Sequence, residues 1–83
     1  MTYQAFRLET PATYRIRVQG YLDDNWSGRL GGMTITTTEQ EDEAPVTTLS
    51  GRLLDQAALL GVLNTLYDYY HAPLLLVEFL GSA

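Results

Sequence analysis

From Tyr14 the chain alternates with period two. Tyr14, Ile16, Val18 and, past Gly20, Leu22 share one face, while Arg15, Arg17, Gln19 and Tyr21 share the other. Successive side chains of an extended backbone point to opposite faces, so this pattern predicts a half-buried strand. Met33, Ile35 and Thr37 repeat the alternation against Thr34, Thr36 and Thr38. β-branched side chains fit a pleated surface, which makes this a second strand. A third is predicted from Val46 to Leu53, with Thr47, Leu49, Gly51 and Leu53 on one face and Thr48, Ser50 and Arg52 on the other. Leu74 to Leu80 is apolar on both faces apart from Glu78, the pattern of a strand covered on both sides.

The period changes once. Asp55 can accept hydrogen bonds from the exposed amides of a first helical turn, so it is the expected N-cap. Leu54 and Leu59 have the spacing of a hydrophobic staple around it. Ala58, Leu59, Val62, Leu63, Leu66, Tyr67 and Tyr70 then form an apolar stripe at helical spacing. Pro73 ends the helix, because the residue before a proline avoids helical backbone.

Between these elements the chain is loop. Residues 1–12 show no sustained period and are expected to be a loose arm that can pack Phe6. Asp23 to Gly32 is a loop with room for one helical turn around Trp26, and the acidic stretch ending at Pro45 turns the chain. Residues 81–83 are expected to fray.

The predicted architecture is a single α+β domain over residues 1–83, two-layer and ordered β-β-β-α-β. It is an antiparallel meander of three strands, one helix packed on the sheet and a returning fourth strand. The face with Tyr14, Ile16 and Val18 packs under the helix stripe. The opposite face gathers Arg15, Arg17, Arg52 and the threonines. One helix over four strands makes a thin core, and Leu75, Val77 and Phe79 are left without a partner inside one chain. A homodimer would supply one.

Composition narrows the functional classes. The 83 residues are 46% hydrophobic and 18% charged, which suits a globular domain. A chain this short buries only about 60–65% of its unfolded surface. No apolar run approaches the roughly 20 residues of a membrane-spanning helix, and the first residues lack the pattern of a signal peptide. There is no cysteine, which removes disulfides, thiolate metal sites and cysteine nucleophiles. The net charge is −5, and all five basic residues are arginine. Nucleic acids and anionic membranes both demand positive charge, so neither is an expected partner. Glu39, Glu41, Asp42 and Glu43 read as a solvated loop.

From Tyr14 onward the chain resembles a group of small, functionally uncharacterised bacterial proteins. The resemblance rests on Tyr14 to Gly20 (Tyr-x-Ile-x-Val-x-Gly), Trp26, Gly32 to Ile35, Thr47 to Gly51 (Thr-x-Leu-x-Gly), Asp55 to Leu59 (Asp-Gln-Ala-Ala-Leu) and Pro73 to Leu75. Members often carry histidine where this chain has Leu60. The resemblance implies the same fold order and a cytoplasmic setting, and it brings no activity with it.

Candidate chemistry is sparse. His71 stands alone at the helix end, where a cation favours the helix dipole; one histidine without cysteine falls short of zinc ligation. Asp23-Asp24 and the acidic loop lie in polar sequence that leaves carboxylates poorly suited to general-acid work. The amides of Gly28 to Gly32 could hold an anion, but no helix follows them. Trp26 either caps the open end of the core or anchors a partner. Helical spacing places Tyr67 and Tyr70 toward the core and sends Tyr69 elsewhere, within reach of an interface. Arg15, Arg17 and Arg52 form either an anion-recognition surface or a solvated face of Arg–Thr contacts and ion pairs to Glu39 or Glu78. The expected function is therefore a non-enzymatic interaction module acting as a homodimer, with no cofactor and no metal. Its interface residues would be Leu75, Val77, Phe79, Trp26 and Tyr69. The alternative is a binding protein for a small anionic or aromatic metabolite, or a minor subunit of an enzyme, its pocket between helix and sheet lined by Trp26 and the tyrosines.

Overall fold

A computed structural model describes residues 7–82. Four strands form one sheet: β1 (Ala12–Gln19), β2 (Thr34–Gln40), β3 (Glu43–Leu53) and β4 (Leu74–Ser82). A 3-10 segment, Asp24–Leu30, lies between β1 and β2, and the helix α1 (Gln56–Thr65) runs into a π-helical turn, Leu66–Tyr70. The strand order is β2-β3-β1-β4, and every neighbouring pair is antiparallel.

This order corrects the expected meander. β1 pairs with β3 and β4, not with β2. The link from β1 to β2 is no hairpin turn, since it carries Leu30, fully buried, into the core. The hairpin is β2–β3, where Gln40 pairs with Glu43 around Glu41 and Asp42. Asp42 takes the left-handed conformation that a tight turn needs, at φ 61°. Pro45 consequently sits inside β3 and does not make the turn. Because β3 and β4 both run antiparallel to β1, they are parallel to each other, and the helical connection between them spans β1.

Parts of the predicted arm and tail join the sheet and the helix cap among the described residues. Ala12 is a buried residue of β1, so the strand claims the end of the arm. Nearer the start, the Leu8 carbonyl accepts the Gln56 N–H at 2.8 Å, satisfying one exposed amide of α1. Phe6 lies outside the described residues. At the other end Gly81 and Ser82 pair with Thr13 and Ala12, and Ala83 lies outside the described residues.

Core and helix follow from the alternation. Tyr14, Ile16, Val18, Leu49 and Leu53 are buried on one sheet face, joined by Leu22, Leu30 and Met33 from the connections. Val62 and Leu66 close the layer from the helix, with Leu59 and Leu63 partly buried beside them. Asp55 Oδ1 accepts the Ala58 N–H at 2.7 Å, making Asp55 the N-cap. The hydrophobic staple does not form: Leu53 is buried, so strand alternation turns Leu54 outward into solvent. Tyr67 is also exposed, against its place in the stripe, because the wider π turn shifts the helical phase after Leu66.

Candidate functional site

The edge strand β4 holds the largest group of exposed apolar side chains. Opposite residues of an antiparallel pair share a face, so Val77 opposite Ile16 and Phe79 opposite Tyr14 lie on the helix side of the sheet. The Phe79 ring meets Tyr14 edge-on, with centroids 5.9 Å apart. Even so, Leu74, Leu75, Val77, Phe79 and Leu80 remain 40–53% exposed. Leu75 and Leu80 are the extra residues of two register shifts, leaving Leu76 to Phe79 as the regular part of the strand. Leu8, in the arm before β1, is itself exposed.

On the outer face the three arginines separate into different roles. Arg15 Nη1 donates to Glu78 Oε1 at 2.8 Å across β1–β4, the one ion pair among the described residues. Glu39 makes none. Arg52 lies opposite Thr13, two residue pairs from the Arg15–Ser50 pair. Arg17 lies opposite Thr48 on one side and Leu76 on the other. It lines a concavity of about 530 Å³ together with Thr38, Gln40, Thr48 and the apolar Val46, Leu75 and Leu76. The strand register thus brings Arg15, Arg17 and Arg52 onto one face and commits Arg15 to Glu78.

Trp26 packs against the π turn. Its ring meets Tyr70 edge-on at 6.1 Å, and the Arg29 guanidinium lies 4.6 Å above it. These contacts tie the 3-10 segment to the π turn. Burial raises the Tyr70 hydroxyl above its ordinary pKa; Arg29 opposes this and Asp23 adds to it. A small cavity of about 160 Å³ is lined by Trp26, Arg29, Thr65, Tyr69 and Tyr70. Tyr69 is exposed and lines this cavity with Trp26, and no β4 residue does, so Trp26 and Tyr69 form a cluster of their own.

The sequence offered no sign of the geometry at the helix end. His71 follows the π turn in left-handed backbone, φ 49°, and its N–H donates to the Leu66 carbonyl. Beside it Leu63, Leu66, Tyr67, Ala72, Pro73 and Leu74 enclose a largely apolar cavity of about 410 Å³. Tyr67 therefore lines this cavity, apart from the Trp26 cluster. Among the described residues no three metal-ligating side chains converge.

These elements define a small α+β domain, a four-stranded antiparallel sheet with one helix laid over it. Residues 13–78 match the model of the domain of unknown function DUF8691, and the chain belongs to that family. The match runs from β1 into β4 and takes in the whole Arg face. No curated protein and no solved structure matches the chain. No helix is long and apolar enough to cross a membrane, among the described residues.

Proposed function

We propose that this domain is a non-enzymatic interaction module that pairs with a second copy of itself through β4. The observation that carries this reading is the edge position of β4 combined with its apolar side chains in solvent. A contiguous apolar patch of a few hundred Å² marks an interaction surface in soluble proteins. A twofold contact covers both copies with one surface, the commonest arrangement of homo-oligomers. The resemblance to small bacterial proteins supports the bacterial cytoplasm as its proposed setting.

Size-exclusion chromatography with light scattering tests the pairing. The expected result is a dimer at micromolar concentration, and a Val77→Glu variant that is monomeric with an unchanged circular dichroism spectrum. A wild-type chain that stays monomeric throughout overturns the proposal. So does a dimeric Val77→Glu accompanied by a chain lacking residues 1–10 that unfolds as a monomer, since the arm would then be the cover. A second reading, binding of a small aromatic ligand, is favoured by the cavity beside His71. A thermal-shift screen of aromatic metabolites with no response removes it.

A further inference from the structure

We propose that the concavity on the outer sheet face binds a monocarboxylate with an aliphatic chain, held by Arg17. The reasoning starts from the register. Arg17, Thr48 and Thr38 lie on β1, β3 and β2, so three neighbouring strands bring a guanidinium and two hydroxyls to one hollow. Neither the guanidinium nor the two hydroxyls has a hydrogen-bond partner among the described residues. Two positions along the strand, Arg15 is committed to Glu78. The hollow therefore offers a single uncompensated positive charge, in a protein whose net charge is −5.

A guanidinium presents two parallel N–H groups that match the two oxygens of a carboxylate. Thr48 and Thr38 add hydroxyl donors beside it. The remaining walls, Val46, Leu75 and Leu76, are apolar and suit a hydrocarbon chain better than water. Leu76 is the cross-strand neighbour of Arg17, so the charged and apolar parts of the site are adjacent. Gln40, which completes the lining, is flanked by Glu39 and Glu41. A free phosphate would leave the apolar walls unfilled. The volume of about 530 Å³ falls in the range of small-molecule sites. The inference does not rest on pairing through β4, because all three donors lie on β1, β2 and β3.

Titration of isotopically labelled protein with hexanoate, followed by amide chemical shifts, tests the site. Saturable shifts are expected at Arg17, Thr48 and Leu76. Arg17→Gln should weaken binding by about tenfold or more, the scale of a lost hydrogen bond to a charged group. Arg52→Gln, on the same face but outside the hollow, should leave it unchanged, and Arg17→Lys should fall between. Hexanol and inorganic phosphate should each bind at least about tenfold more weakly than hexanoate, lacking respectively the charge and the chain. Absence of saturable shifts at millimolar hexanoate overturns the proposal. Equal binding by wild type and a folded Arg17→Gln, equal loss in Arg52→Gln, or phosphate binding as tightly as hexanoate would do so too.

Discussion

An alanine at Gly31 meets two penalties, of which an alanine at Gly32 meets one. Both glycines follow the 3-10 segment with φ 70°, a left-handed conformation that a Cβ disfavours. That conformation costs an L-residue about 1–2 kcal/mol. The surroundings differ. A Cβ at Gly32 has nothing within 4 Å, whereas a Cβ at Gly31 falls 2.8 Å from Leu53 Cδ2 and 3.1 Å from Val62 Cγ2. Leu53 and Val62 both belong to the buried core, so neither can swing into solvent. Overpacking of this kind costs a further 1–3 kcal/mol or so. Gly32→Ala should therefore lose about 1–2 kcal/mol, and Gly31→Ala about 2–5 kcal/mol. For a domain of this size each kcal/mol lowers Tm by about 4–8 °C. Urea denaturation of the two variants beside the wild type measures the difference directly. Equal losses at the two positions would refute the claim that Gly31 is where the loop touches both sheet and helix.

Two further substitutions probe buried polar atoms. Thr47 is fully buried, and its hydroxyl donates to the Gly20 carbonyl at 2.6 Å; Thr47→Val should cost about 1–3 kcal/mol in urea denaturation, and a neutral result would remove the bond from the account. The Tyr14 hydroxyl is buried with no hydrogen-bond partner among the described residues, so Tyr14→Phe should raise Tm by about 4–8 °C, the return of roughly 1 kcal/mol of desolvation; a calorimetric loss instead would show that the hydroxyl is satisfied.

What the sequence reveals follows from which physical rules act locally. Strand faces are legible because period two is a property of the backbone itself, so Tyr14, Ile16, Val18, Leu49 and Leu53 all fall inside as expected. The Asp55 cap is equally local. Strand order is not local. Nothing in the alternation of β1 says whether β2 or β3 lies beside it, and Leu30, which the β1–β2 connection carries into the core, sits in a stretch of glycines and polar side chains. The π turn escaped for a related reason: helical spacing carried past Leu66 assumes a constant phase, and the structure breaks it there. At the Arg face, the sequence places the three arginines together. Only the β4 register, with its shifts at Leu75 and Leu80, shows that Arg15 meets Glu78 and Arg17 meets Leu76.

The two edges of the sheet are treated differently, and this bears on where association can occur. β2 presents exposed Thr34, Thr36 and Thr38 and passes through Glu39 into the turn at Glu41 and Asp42, with Glu43 beyond it. A second copy approaching that edge would set like charges against each other, a standard protection of open edges. β4 has one charged residue, Glu78, and Arg15 neutralises it within the chain. Its protection is geometric instead. The register shifts at Leu75 and Leu80 bracket the strand and leave only Leu76 to Phe79 with regular spacing. A ladder that short supplies few backbone hydrogen bonds, each contributing about 1 kcal/mol net. Long-range addition of strands is thereby discouraged, while Leu74, Leu75, Val77 and Leu80 still offer apolar area on either side of the regular segment. Association through β4 would thus draw its free energy from side-chain burial more than from the backbone. That favours a closed pair over an open fibre, because the twofold uses up the one unguarded edge that each copy has.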